Sequence, residues 1–133
     1  MKTTEYIFHN QEHKGFYEYY TSKCSSQDSH YKALFYCLGV DGNTRNHVHE
    51  IYDCSTGCIK TGSLDAPWQT SSSRKITRLA FSLYTDGTPS VMDFDYLDAQ
   101  LDECSEYSVA EIMSCGYLAY MLEAVRIRYE EYL

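Results

Sequence analysis

Apolar residues in this chain return at every third and fourth position, a spacing that limits it to packed helices. In "SHYKALFYCLGV", Tyr31, Leu34, Phe35 and Leu38 stand at i, i+3, i+4 and i+7, one stripe of an amphipathic helix with Gly39 as its C-terminal stop. "SRKITRLAFSLY" repeats the pattern, with Ile76, Leu79, Ala80 and Leu83 inward and Arg74, Lys75 and Arg78 on the solvated side. In "YLAYMLEAVRIRYEEYL" one stripe is Leu118, Met121, Leu122 and Val125, and a second is Tyr117, Tyr120, Ala124 and Ile127. An apolar surface on both sides predicts a helix near the middle of the fold.

Further helices are expected over roughly 9–20, with Phe16, Tyr19 and Tyr20 inward, and from the N-cap residue Asn43 through Val48, Ile51 and Tyr52. Ser108 and Glu111 have the spacing of a capping box, and Gly116 separates that short helix from the last one. Loops are expected at Asp41-Gly42, from Cys54 to Trp68, and from Asp86-Gly87 through Pro89. Strand-like alternation is weak and confined to "TPSVMDFDYL". At 133 residues the chain suits one core. The expected fold is mainly α, a single compact bundle of five or six helices over residues 1–133 with an acidic loop insert at about 85–106.

Charge narrows the function classes. The formal net charge is −8, and no Lys or Arg lies between Asp86 and Val125, a stretch holding Asp93, Asp95, Asp98, Asp102, Glu103 and Glu106. Such a chain lacks the basic face that neutralises phosphates, so direct nucleic-acid binding is not expected. The N-terminus "MKTTEYIFHN" has no apolar leader, and no run approaches the roughly 20 apolar residues of a membrane span, which predicts a cytoplasmic protein. In a reducing compartment its six cysteines are expected as free thiols. Cys54 and Cys58 in "CSTGC" have the spacing of half a zinc site without a matching second pair, so no metal and no cofactor is expected.

Three stretches carry candidate chemistry. "HNQEH" places His9, Glu12 and His13 in the H-x-x-E-H pattern of one class of zinc peptidases. Those enzymes are much larger and need a third ligand that the sequence does not mark. "RNHVHE" gathers Arg45, His47, His49 and Glu50, but on a helix the two imidazoles point about 200° apart and cannot act as one pair. In "APWQTSSSRKITRLAFSLY", Ser72, Ser73, Arg74 and Lys75 could hold an anion at a helix N-terminus. Alternatively one of Ser71, Ser72 or Ser73 caps the helix, the basic residues are solvated, and Trp68 fills the core.

Taken together, "HKGFYEYY", "YKALFYCLGV", "TRNHVHEIYD", "CIKTGSLDAPWQTSSSRKITRLAFSLY" and "YSVAEIMSCGYLAYMLEAVRIRYEEYL" resemble a family of small uncharacterised proteins carried mostly on mobile genetic elements of gut anaerobes. The resemblance runs from His13 to the C-terminus and is most specific from Trp68 to Tyr84. It implies a genetic context and a shared fold, and it carries over no catalytic residue.

Small acidic proteins of such elements often inhibit host defence. The leading expectation is therefore a protein-binding module, an anti-CRISPR or other anti-defence inhibitor that occupies the basic channel of a host nuclease. Its contacts would be Asp93, Asp95, Asp98, Asp102, Glu103 and Glu106, with exposed tyrosines as anchors. The alternatives are a small hydrolase or nuclease using His47 or His49 with Arg45, and a structural or regulatory partner of a conjugation or replication complex.

Overall fold

A computed structural model describes residues 5–23, 28–89 and 104–133. These residues are mainly helical. The helices are α1 (Gln11–Lys23), α2 (Ser29–Val40), α3 (Gly42–Asn46), α4 (Val48–Ile51), α5 (Ser71–Thr85), α6 (Val109–Ile112) and α7 (Leu118–Arg128). Between α4 and α5 lie a small hairpin, β1 (Tyr52–Asp53) antiparallel to β2 (Cys58–Ile59), and a 3-10 turn, Thr61–Asp65. Every stretch expected to be helical contains helix. The count among the described residues reaches seven because the stretch expected from Asn43 breaks at His47, and Asp41 rather than Asn43 caps its first half. The alternating stretch "TPSVMDFDYL" falls largely outside the described residues.

The central helix is α2, against which α5, α1 and α7 pack. Ala33 through Val40 are all buried, which suits an uncharged eight-residue run that is apolar on every side. The expectation that α7 holds this place is corrected. Its buried side is Met121, Ala124 and Ile127 with Arg128, while Leu118 and Leu122 face outward, Leu122 being 56% exposed. In α1 the inward residues are His13 and Tyr17, and Tyr19, expected inside, is 54% exposed.

Gly39 does not end α2, which runs on to Val40 with Asp41 beyond it. Its role is close approach. A Cβ at Gly39 would lie 2.8 Å from Cδ2 of His13 and 3.0 Å from Cδ1 of Phe16, so the bare backbone is what lets α1 lie against α2.

The buried C-terminus of α2 creates an accounting problem, because the last carbonyls of a helix have no partner within it. Side chains supply the donors: Thr44 Oγ1 to Leu38 O (2.6 Å), Arg45 Nη1 to Gly39 O (2.7 Å) and His9 Nδ1 to Val40 O (3.2 Å). Asp41 then turns the chain, its Oδ1 accepting from the N–H groups of Asn43 and Thr44 at the start of α3. Helix α5 starts with a capping box in which Thr70 accepts from the Ser73 N–H and Ser73 accepts from the Thr70 N–H. The cap is thus one residue earlier than Ser71. Ser108 accepts from the Glu111 N–H at the start of α6, but the Ser108 N–H donates to Ser105 O at 3.2 Å, so the serine half of the expected capping box is what forms.

Two glycine substitutions test the packing. Gly39→Ala is expected to destabilise the fold by about 1–3 kcal/mol through overpacking. Gly15→Ala, in α1 with open space where its Cβ would lie, is expected to stabilise it by about 0.5–1 kcal/mol. Urea denaturation midpoints of the two variants should move in opposite directions.

Candidate functional site

The histidines of "HNQEH" serve the helix contact. Asn10 caps α1 by accepting from the His13 N–H at 2.8 Å. The His13 ring is buried; its Nδ1 accepts from the His9 N–H at 3.0 Å, and its Nε2–H donates to the Tyr36 carbonyl at 2.8 Å. Both ring nitrogens are therefore occupied, and neither offers a lone pair to a metal. Burial pushes the His13 pKa down to about 4, with the Tyr36 hydrogen bond opposing the shift. His9 donates to α2 as described above, and Glu12 is exposed. Among the described residues, no group of three or more His, Cys, Asp and Glu side chains is placed to hold a metal ion.

A second cluster joins residues far apart in sequence. His30, in the first turn of α2, bonds through Nδ1 to Asp28 Oδ1 (2.6 Å) and through Nε2 to Asp86 Oδ2 (3.0 Å). Asp86 is the left-handed residue that ends α5, with φ of 61°, a conformation that Asp tolerates better than most residues. Its other oxygen accepts from Arg128 Nη2 at 2.8 Å, and Arg128 Nε donates to Leu83 O at 3.1 Å. Burial and the neighbouring Arg128 oppose proton uptake by His30, but hydrogen bonds to Asp86 and Asp28 prevail and hold its pKa above the ordinary value. Asp86 is held below the usual carboxylate range by its hydrogen bonds to His30 and Arg128. The cations of this knot lie inward and the carboxylates outward: the Arg128 side chain is 9% exposed and that of Asp86 55%. Beside the knot is a shallow cleft of about 330 Å³ lined by Asp28, His30, Tyr31 and Tyr84.

Of the "RNHVHE" residues, His47 and Glu50 lie together, Nε2 to Oε2 at 3.9 Å, and the other two lie apart from them. Arg45 reaches back to Gly39, and His49 is exposed. His47 Nδ1–H donates to Asn43 O at 2.8 Å, and its ring lies parallel to Trp68 at 4.3 Å. Trp68 is thus a half-buried stacking partner of His47, with Nε1–H toward Glu50 at 3.3 Å, and does not fill the core.

The candidate anion residues also face their own chain. Ser73 is buried in the capping box and also donates to Gln69 Oε1, while Ser72 is half-buried. Arg74 Nε donates to Leu64 O at 2.8 Å, and Lys75 Nζ donates to Ser114 O at 3.1 Å and to its hydroxyl at 2.9 Å. These two side chains, expected to be solvated, instead tie α5 to its neighbours. Of the candidate partner-binding carboxylates, Glu106 is exposed and 3.8 Å from Arg78, and Asp93, Asp95, Asp98, Asp102 and Glu103 lie outside the described residues.

Nothing in the sequence links His30, Asp86 and Arg128 to one another. Their contacts span 42 to 98 positions, and no local spacing announces them.

Fold and site together define a small helical protein that spends its cationic and hydroxyl groups on internal contacts. The chain belongs to the family described as a family of unknown function (DUF6075), which it matches over residues 3–133. No curated protein and no solved structure matches it. No described helix is long and apolar enough to cross a membrane.

The two histidine environments predict opposite pH responses. With a folded pKa near 4, below its unfolded value, His13 stabilises the fold fully above about pH 6.5, and this contribution is lost as pH falls toward 4. The slope in that window approaches about 1.4 kcal/mol per pH unit, and His13→Gln should flatten it. His30, with a raised folded pKa, contributes below about pH 6.5 and loses that contribution as pH rises through the folded value. Urea titrations from pH 4 to 8, with NMR titration of the imidazole signals, check both signs.

Proposed function

We propose that this protein is an acidic protein-binding module whose exterior engages the basic surface of a partner. One observation carries the reading. Seven of the chain's eleven lysines and arginines, Arg45, Lys60, Arg74, Lys75, Arg78, Arg126 and Arg128, are committed to acceptors in the same chain. Arg45, Lys60, Arg74 and Lys75 reach backbone carbonyls, which offset none of their charge. Among the described residues, Arg–carboxylate pairs form at Asp86, Glu106 and Glu123. Glu5, Glu12, Glu18, Glu111, Glu130 and Glu131 remain exposed.

A negative exterior of this kind accelerates encounter with a positively charged surface and favours it over other surfaces. The proposed contacts are Asp93, Asp95, Asp98, Asp102, Glu103 and Glu106. Tyr129 and Tyr132, both exposed beside Glu130 and Glu131, are suited to anchor such an interface. The specific form proposed is an anti-defence inhibitor encoded on a mobile element, which covers the nucleic-acid channel of a host nuclease such as a CRISPR effector.

Immobilised protein is expected to retain a basic partner from a host lysate at about 50 mM salt and release it near 0.5 M, where the Debye length falls below about 5 Å. The fourfold variant Asp95→Lys, Asp98→Lys, Asp102→Lys, Glu103→Lys should lose capture with an unchanged helical circular dichroism spectrum. Equal capture by that variant would rule out the acidic surface. A captured nuclease should stop cleaving when the protein is added at equal molarity, and undiminished cleavage would remove the inhibitor form while leaving the binding module.

A further inference from the structure

A cavity of about 450 Å³ lies between the N-terminal segment and α1, lined by Glu5, Tyr6, Phe8, Lys14, Tyr17 and Glu18. Both of its walls are held in place. Residues 5–8 are pinned through Ile7, whose N–H donates to Glu123 Oε2 at 2.8 Å and whose carbonyl accepts from the Tyr36 hydroxyl, and through Tyr6, whose hydroxyl donates to Glu130 Oε2 at 2.9 Å. On the other wall Lys14, Tyr17 and Glu18 stand at i, i+3 and i+4 of α1 and so share one face of the helix. The rings of the two walls meet: Tyr17 is edge-on to Tyr6 at 6.0 Å and tilted against Phe8 at 5.6 Å.

The polar groups of this cavity are unspent. Tyr17 is 8% exposed, and its hydroxyl has no hydrogen bond among the described residues. Every fully enclosed side-chain nitrogen or oxygen among those residues does have a partner, so the hydroxyl is the part of Tyr17 that opens to the cavity. Burial pushes its pKa above the ordinary phenol value, which keeps it a donor at neutral pH. The Lys14 ammonium has no acceptor, and the Glu5 and Glu18 carboxylates have no donor, among the described residues. A lysine four positions before a glutamate is the weaker order for a helical ion pair, which fits the lack of one between Lys14 and Glu18. Two donors and two acceptors thus line one aromatic cavity, the complement of a molecule that carries a carboxylate, an ammonium and a ring.

We propose that this cavity binds a free α-amino acid with an aromatic side chain. Lys14 and Tyr17 take its carboxylate, Glu5 and Glu18 take its ammonium, and its ring packs on Tyr6 and Phe8 in the offset or edge-on manner that aromatic pairs favour. The site shares no residue with the partner contacts proposed above, so it stands whether or not the acidic surface binds a protein.

NMR titration of the full chain with L-phenylalanine is expected to shift the signals of Tyr6, Phe8, Lys14, Tyr17 and Glu18 along one saturation curve. Phenylpropionate, which lacks the ammonium, phenethylamine, which lacks the carboxylate, and L-alanine, which lacks the ring, should each bind about tenfold or more weakly than L-phenylalanine. Lys14→Met should weaken L-phenylalanine by about tenfold, and Tyr17→Phe should weaken it by a smaller factor. Lys14 is exposed and the Tyr17 hydroxyl bonds to nothing else in the described chain, so both variants should keep the circular dichroism spectrum and urea midpoint of the parent. No shift at about 10 mM L-phenylalanine, shifts confined to residues outside the cavity, equal binding of any truncated ligand, or full affinity in Lys14→Met would each overturn the proposal.

Discussion

The structure depends on burying the end of a helix. A stripe of apolar side chains can be hidden with little polar cost, but the last turn of a helix carries carbonyls that no residue of the helix can satisfy. Each one left without a donor in the interior costs about 1–3 kcal/mol. Here α2 is buried along its whole C-terminal half, so donors must be brought to it from other elements. His9 and His13 come from the entry to α1, and Thr44 and Arg45 come from α3. Two stretches that look chemical in the sequence, "HNQEH" and "NTRNH", are in this sense the two halves of a sheath around one helix end. Gly39 belongs to the same arrangement, since α1 could not bring His13 to the Tyr36 carbonyl if a side chain stood between them.

This use of cations as internal donors has a consequence for the outside. Arg45, Arg74, Lys60 and Lys75 each satisfy a carbonyl, and a carbonyl carries no charge to offset theirs. Their charge is drawn toward the chain while most described glutamates point to solvent. The His30 knot follows the same orientation, with the guanidinium of Arg128 inside and Asp86 at the rim. The Arg126–Glu123 pair runs the other way: Glu123 is buried because its second oxygen accepts from the Ile7 N–H and so fastens the N-terminal segment to α7. Acidity of the exterior is thus tied to how the interior is satisfied, and the proposed binding role draws on both.

What could be read from the chain alone divides along sequence distance. Helix α5 has a clean stripe and a clear start, and Ile76, Leu79, Ala80 and Leu83 are inward as their spacing requires. The Ser108 cap was readable because its partner is three positions away. The rank of the helices was harder to read. Both α2 and α7 have apolar residues on opposite sides, but "ALFYCLGV" has no charge in eight positions while α7 carries Glu123, Arg126 and Arg128, a difference that favours α2 for the centre. Burial of Glu123 and Arg128, the left-handed Asp86 and the stacking of Trp68 on His47 rest on partners 21 to 116 positions distant, where periodicity is silent. The candidate carboxylates were conspicuous as a run, but a run of like charge specifies no contact.

The tyrosines complete the same logic with neutral donors. A phenyl ring suffices to fill a core, yet at several inward positions this chain uses a ring with a hydroxyl at its far edge. Tyr36 is buried and its hydroxyl donates to Ile7 O at 2.5 Å; Tyr117 donates to Asp41 Oδ2 at 2.6 Å; Tyr6 donates to Glu130 Oε2 at 2.9 Å. Each of these bonds joins segments 29 to 124 positions apart, so each closes a loop that helical hydrogen bonds cannot close. The Tyr117 bond matters most for the helix end, because Asp41 is the cap that turns the chain out of α2 into α3, and α7 holds that cap from the other side. Phenylalanine there would keep the packing and leave the buried Asp41 carboxylate without this donor. The hydroxyl thus supplies what the ring alone cannot, a polar partner carried through an apolar layer.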